Sequence, residues 1–434
     1  MFFHVFFIVA SAIAIALFIY SKSKVESCPD PTFSAFQRSY IVIYALAVAG
    51  DWLQGPHVYA LYDSYGMSKH QIELLFIAGF GSSLVFGTVI GSFADKFGRR
   101  NNCFLYGVLY GISCLTKHVP VMEVLMIGRF LGGIATSILF SAFESWLMYE
   151  HNKRGFSDDK LAVVFSNSAL ANSLIAIASG YVAQAAADLF GFVAPFDVAL
   201  LVLGTMSVLV LSRWPENYGD ERATTTQSFQ KAWTLITSDY RVLCLGLVQA
   251  LFEGAMYTFV LEWTPALTQA APIGASLPHG VIFAAFMVAA AAGSSLFKIL
   301  TKWTRVENLM RYVLLVSSMC LSMPLVFPFN LTIVFVAFLV FEMCVGIFWP
   351  SMACLRGAYL PEETRSTTIN MFRIPLNLIV IVILYQNFSM HTIFQCCAGF
   401  LLLAAGAQHI LYSSPRVSAL PNGNSVHDGE KEGM

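Results

Sequence analysis

The stretch GSFADKFGRR, residues 91–100, decides how the rest of this chain is read. It gathers Asp95, Lys96, Arg99 and Arg100 in a chain where only 12% of residues are charged. Gly91 and Gly98 bracket those charges. Glycine permits a tight turn and a close approach between helices. An apolar run ends just before the stretch, at 73–92, and another begins just after it, at 103–118. The charges therefore sit on a short hairpin between two membrane-length apolar segments.

Working outward, the same pattern recurs along all 434 residues, 57% of which are apolar. An ordinary soluble domain carries about 25% charged residues. A soluble protein this apolar could not cover its core. The formal net charge is −1, so no basic face is available for a nucleic acid. These numbers exclude a soluble enzyme, a nucleic-acid binder and a disordered scaffold. Cys28, Cys103, Cys114, Cys244, Cys320, Cys344, Cys354, Cys396 and Cys397 form no CxxC or CxxH spacing. They read as small apolar residues rather than metal ligands.

A helical crossing needs ~20 apolar residues. Thirteen runs qualify, near 2–20, 40–62, 73–92, 103–118, 122–148, 161–188, 193–212, 241–264, 279–300, 309–328, 331–353, 366–387 and 391–412. With the 91–100 hairpin in the cytoplasm, alternating crossings put 21 of the 25 Lys and Arg on that side. Lys69 and Lys117 fall outside, and Arg129 and Arg373 lie within the membrane. Such asymmetry is the topology signal of a membrane protein. Residues 1–39 read as an extra N-terminal transmembrane helix and a cytoplasmic linker. Lys22 and Lys24 follow its apolar run and no basic residue precedes it, which favours a retained helix over a cleaved leader. A six-helix bundle follows over 40–212, then a central cytoplasmic loop over 213–240 and a second bundle over 241–412. The polar tail 413–434 reads as disordered.

The two bundles show faint internal repetition. GSFADKFGRR aligns with GSSLFKILTK (293–302), Asn172 with Asn377, and Gly55 with Gly254. Repeated halves of this kind enclose a substrate site near the bilayer midplane.

GSFADKFGRR resembles the signature of the major facilitator superfamily, G-x-x-x-D-x-x-G-R-R/K, which links the second and third core helices. GRFLGG (128–133) is similar to the family's fourth-helix motif, and LPEETRS (360–366) to its acidic-basic loop after the tenth helix. The resemblance implies an all-α polytopic membrane protein: a major facilitator fold of two six-helix bundles plus one extra N-terminal transmembrane helix. It implies a cytoplasmic gate of Gly91, Asp95, Gly98, Arg99 and Arg100; Glu144, near the cytoplasmic end of its helix, is assigned to the same gate ahead of a substrate contact or an incidental position. Four further stretches, DWLQGPHVYALYDSYG (51–66), LFSAFESWLMYEH (139–151), QALFEGAMYTFVLEWTP (249–265) and NMFRIPLN (370–377), resemble the molybdate-transporting branch of that superfamily. That likeness implies uptake of molybdate, by alternating access and with protons as candidate coupling ions, across the plasma membrane. The expected carrier is a monomer in the lipid bilayer, without a cofactor. No P-loop, HExxH, GxSxG or paired-carboxylate pattern points to an enzyme. Carriage of another anion or an organic solute, or a non-transporting receptor on the same fold, stays open.

Charges inside a bilayer are costly and mark functional candidates. Asp51, Arg129, Glu253, Glu342 and Arg373 fall at similar depth on five helices. Helices 1, 4, 7 and 10 line the central cavity in the resembled fold. Arg129 and Arg373 could hold a tetrahedral dianion through the guanidinium fork. Gln54, Asn370, Trp52, Tyr59 and Tyr257 could complete the shell, and Gly55-Pro56 should break the first core helix beside it. Asp51, Glu253 and Glu342 are candidates for coupling and charge pairing. Their sum with the arginines is negative, which poses a problem for a dianion. Permanent structural ion pairs for either arginine also remain open. His57 reads as a proton relay or a structural histidine.

Overall fold

Asp30 and Pro31 set a boundary that the apolar pattern misses. The Asp30 carboxylate accepts from Thr32 N at 3.0 Å and Phe33 N at 3.3 Å, and Pro31 takes the first helical turn. Both are helix-start signals. The Lys160 ammonium, 2.7 Å away, holds the Asp30 carboxyl below the usual carboxylate range. The first two helices are therefore α1 (Phe2–Val25) and α2 (Pro31–Trp52), and little of the expected linker remains. The structure, a computed structural model, describes residues 2–25, 30–219, 225–272, 277–386 and 388–414. Cys28 and the tail from residue 415 lie outside the described residues.

Fourteen further helices complete the described chain. They are α3 (Val58–Ser64), α4 (Lys69–Phe97), α5 (Arg99–Thr116), α6 (Met122–Leu139), α7 (Ala142–Lys153), α8 (Asp158–Phe190) and α9 (Ala194–Arg213). Then come α10 (Thr225–Ser238), α11 (Tyr240–Ala270), α12 (His279–Leu300), α13 (Val306–Val326), α14 (Leu331–Tyr359), α15 (Arg365–Gln386) and α16 (Met390–Ser413). The chain is a multi-pass helical membrane protein.

Among the described residues, eleven spans are long and apolar enough to cross a membrane on their own composition. Two of the thirteen expected crossings, 40–62 and 103–118, do not reach that standard. The first is interrupted: a 3₁₀ turn at Gly55–His57 separates α2 from α3. The second, α5, opens on Arg99-Arg100-Asn101-Asn102. Both still bury apolar faces in the N-terminal half, with Ile43, Cys103 and Tyr106 at 0% exposure. The expected helix 122–148 also breaks, between α6 and α7 at Phe140-Ser141.

The central loop is not all loop. Phe229, Ala232, Trp233, Leu235 and Ile236 recur at helical spacing, and α10 forms over them. Leu235 and Ile236 pack against the C-terminal core. One core gathers mainly residues of α2–α9, the other mainly those of α11–α16 together with Phe3 of α1. α4 meets α15, and α8 meets α12 and α14, across the seam. α1 packs on α12, and Phe3 stands 4.9 Å from Phe335 of α14. The extra helix therefore lies against the C-terminal half although it precedes the N-terminal half in sequence.

Candidate functional site

Two helix breaks of the N-terminal half shape the centre. At the first, α2 ends beside Asp51, whose Oδ1 accepts from Tyr110 Oη at 2.5 Å. Trp52 Nε1 donates to Asn172 Oδ1 at 2.9 Å, while Gln54 turns back to the Gly50 carbonyl at 2.8 Å. At the second, the break after α6 turns Phe140 under Arg373, with the guanidinium 4.4 Å from the ring centroid. It also sets Ser141 Oγ to accept from Asn370 Nδ2 at 2.9 Å.

Arg373 is 3% exposed and Glu253 is fully buried. They meet through one contact, Nη1 to Oε2 at 3.3 Å. Tyr257 lies in hydrogen-bonding reach of Arg373 and within the fields of Glu253 and Asp51. Arg373 Nε, Glu253 Oε1 and Asn370 Oδ1 are buried with no partner among the described residues. Buried polar atoms are normally satisfied by protein or water, and Arg373 Nε is the one donor of the three. The positive charges of Arg129 and Arg373 both act on Asp51. Asp51, Arg373, Glu253, Tyr257 and Asn370 are thus brought together, while Trp52 and Gln54 bond to Asn172 and to the Gly50 carbonyl instead.

Other expected members stand apart. Arg129 forms no ion pair with Asp51 within 4 Å; it donates Nε to the Leu75 carbonyl at 3.1 Å and lies 4.8 Å from the Phe76 ring centroid. Gly79 makes room for it, since a Cβ there would stand 2.8 Å from Arg129 Nη2. Tyr59 is 51% exposed and makes no contact with Arg129 or Arg373 among the described residues. Glu342 is buried in the C-terminal half, with no hydrogen bond or ion pair among the described residues. It lies one turn from Gly346, which packs on Ala290 of α12, so it shares that face rather than the one toward Arg373. Depth along a helix is legible in a sequence, but azimuth is not. His57 is buried near Gln184 and Asp188 of α8, away from the arginines.

The end of the bundle carrying residues 91–100 is closed by a buried charge network. Arg99 is held by Asp95 at 3.0 Å, by Glu362 Oε1, and by the Glu362 carbonyl at 2.7 Å. Asp95 Oδ2 also accepts from Thr367 N at 3.1 Å and Thr367 Oγ1 at 3.0 Å, across the seam. Burial pushes the Asp95 carboxyl up, against the pull of Arg99. Glu216 accepts from Arg100 N at 2.8 Å and Asn101 N at 3.1 Å, capping α5. Gly98 has φ +108, and a Cβ there would stand 2.4 Å from the Glu216 carboxyl carbon.

Glu144 does not join Asp95, Arg99 and Arg100. It forms a separate bidentate pair with Arg356 of α14, Arg356 Nε donating to Oε1 at 2.7 Å. Arg356 Nη1 reaches Gln249 at 2.9 Å. Sequence reasoning missed Tyr110, Gln249 and Arg356. Arg356 sat among the 21 basic residues of one face and carried no mark of being 3% exposed.

A family described as sugar transporters with 12 transmembrane segments matches residues 1–347. The molybdate-anion transporter of Xenopus tropicalis is 35% identical over 402 residues, covering 86% of this chain and 85% of that protein. The molybdate-anion transporter of Danio rerio is 31% identical over 467 residues, covering 95% and 96%. Among solved structures, a human organic anion transporter matches with a TM-score of 0.70 at 14% identity, covering 87% of this chain and all of that one. A major facilitator superfamily proton:xylose symporter matches with a TM-score of 0.70 at 13% identity, covering 88% and 97%.

Proposed function

The chain belongs to the major facilitator superfamily, among the relatives of the molybdate-anion transporters, and from that premise we propose that it carries molybdate by alternating access. The observation that carries this reading is the state of Arg373. A buried guanidinium with one 3.3 Å ionic contact and an unpartnered Nε retains donors for an incoming anion. A tetrahedral dianion accepts two parallel hydrogen bonds from such a fork. Tyr257 supplies a neutral hydroxyl beside Arg373, while Asn370, Trp52 and Gln54 would have to release their present acceptors to join. The description of the matching family suggests a sugar instead, which carries no charge for the guanidinium fork to meet.

Molybdate displaces Glu253 from Arg373 in this scheme. A buried carboxylate deprived of its cation is costly unless neutralised, so Glu253 takes up a proton as the anion binds. Uptake is thereby coupled to protons. The Arg99 and Glu144 networks close the cytoplasmic end while the other end admits the anion, and they part when the halves rock. The carrier acts as a monomer in the plasma membrane.

Purified protein in liposomes tests this reading. Labelled molybdate should accumulate faster with an inward proton gradient, and tungstate but not xylose should compete. Xylose competition, or no oxyanion accumulation under any gradient, would overturn it.

A further inference from the structure

At the end of the bundle that carries residues 91–100, α13 begins beside the last turns of α16. Tyr359, just before the loop that holds Arg99, donates to Glu307 Oε1 at 3.4 Å, and Gln408 Nε2 donates to the Glu307 carbonyl at 2.9 Å. These bonds fix Arg305 and Arg311, at the start of α13, against His409 and Tyr412 of α16. The two guanidiniums share one ring: Arg311 stands 4.0 Å and Arg305 5.6 Å from the Tyr412 centroid. Like charges so placed repel one another. Glu307, which is buried, pairs with Arg305 at 3.3 Å. Arg311 has no carboxylate within 4 Å among the described residues. Its Nη2 donates to the neutral side chain of Asn308, and its Nη1 to His409 Nδ1 at 2.9 Å. An arginine can only donate, so Nδ1 accepts and the neutral imidazole carries its proton on Nε2. His409 is exposed, and that N–H has no partner among the described residues. One carboxylate therefore stands against two guanidiniums and an open ring N–H.

The surface beside this cluster is apolar. α13 and α16 run on side by side, with Ser318 Oγ donating to the Ala398 carbonyl at 2.9 Å. Arg311, Leu315 and Met319 recur every fourth residue and form one stripe on α13, and Leu315 and Met319 are exposed. His409, Gly406 and Leu402 form a stripe on α16, and Leu402 is exposed. Gly406 leaves a gap in that stripe, since a Cβ there would meet nothing within 4 Å. Trp303, two residues before Arg305, is 83% exposed, as a tryptophan at the membrane interface is. The bonded pair Arg311–His409 thus heads two exposed apolar stripes at headgroup level. A free phosphate would use the basic head alone, whereas a phospholipid would use the head and the stripes.

We propose that the notch between α13 and α16 binds an anionic phospholipid of the cytoplasmic leaflet. The phosphate is held by Arg305, Arg311 and His409, and an acyl chain lies along the stripe that Gly406 interrupts. Basic pockets between transmembrane helices on this side of a membrane take such headgroups. The site is independent of the solute carried.

The test titrates full-length protein in neutral detergent with phosphatidylglycerol, with phosphatidylcholine of the same chains, and with inorganic phosphate, and reads the melting temperature. Phosphatidylglycerol should raise it saturably, and the other two should not at the same concentrations. One basic residue near an anionic lipid is worth about fivefold in affinity. Arg305→Gln should therefore raise the half-saturating concentration about fivefold, and the double variant Arg305→Gln, Arg311→Gln about thirtyfold. Gly406→Leu fills the gap without touching a charge and should also raise it, so the test stands even where the double variant misfolds. Lys153→Gln removes an exposed cation at the same end of the other half and should leave it unchanged. No stabilisation of wild type by phosphatidylglycerol, equal stabilisation by phosphatidylcholine, or an unchanged half-saturation in either Arg305→Gln or Gly406→Leu overturns the proposal. Stabilisation by inorganic phosphate alone would place a free ion at the basic head and overturn the lipid assignment.

Discussion

Gly91→Ala should shift the carrier toward its cytoplasm-open state without unfolding it. A Cβ at Gly91 would stand 2.8 Å from Asn370 Nδ2, 2.9 Å from the Ser366 carbonyl oxygen and 2.9 Å from Thr367 Cα. Two of those three atoms belong to the backbone of α15 and cannot yield unless the helix moves. Overpacking of this kind costs about 1–3 kcal/mol. The contact spans the seam, so the cost falls only on the state in which this end is closed. The ratio of closed to open molecules should drop about 5–150-fold. Lys153 is exposed on α7, and Trp303 is exposed beyond α12, on opposite halves at the same end. Spin labels at these two positions in a cysteine-depleted background should report a new, longer distance in the variant. Gly81→Ala, on the same helix, meets nothing within 4 Å and should leave the distribution unchanged. Identical distances in Gly91→Ala and wild type would refute the reasoning, because the close approach would then not be tied to one state.

Glu144→Gln should lengthen the same distance more strongly. It strips Arg356 of its bidentate partner and leaves Gln249, a loss of about 3–5 kcal/mol in the closed state. A distribution no different from that of Gly81→Ala would contradict this. Trp146→Ala should lower the melting temperature, because Trp146 stacks on Trp214 at 3.7 Å and anchors the Pro215 carbonyl at 2.9 Å. Truncating such a ring costs about 3–5 kcal/mol, so an unchanged melting curve would show that the central loop is held elsewhere. Glu342→Gln should leave the molybdate KM unaltered, since Glu342 faces α12; a raised KM would return it to the site.

The fold was legible because its signals are compositional and local. Apolar runs, basic loops and GSFADKFGRR need no knowledge of long-range contacts. Some boundaries were not. The Asp30 cap and Pro31 started α2 early, and the amphipathic spacing of Phe229 to Ile236 made a helix of a stretch read as loop. The site was legible in depth alone. Asp51, Glu253 and Arg373 lay at one level and do come together, yet Glu342 shares the level and points elsewhere. Arg356 and Lys117 looked like ordinary loop cations in sequence. Their burial depends on which side chains the packing of α5, α7 and α14 encloses, and no spacing rule encodes that. The same limit hid Tyr110 as the partner of Asp51, since the two are joined only by the packing of α2 and α5.

Arg373 is the proposed anchor of the transported anion. Its most direct test is uptake of labelled molybdate by reconstituted wild-type and Arg373→Ala proteins at equal density in the liposome membrane. Wild-type uptake with loss of nearly all of it in the variant is the predicted result. Saturable uptake by Arg373→Ala with an unchanged KM would contradict the account.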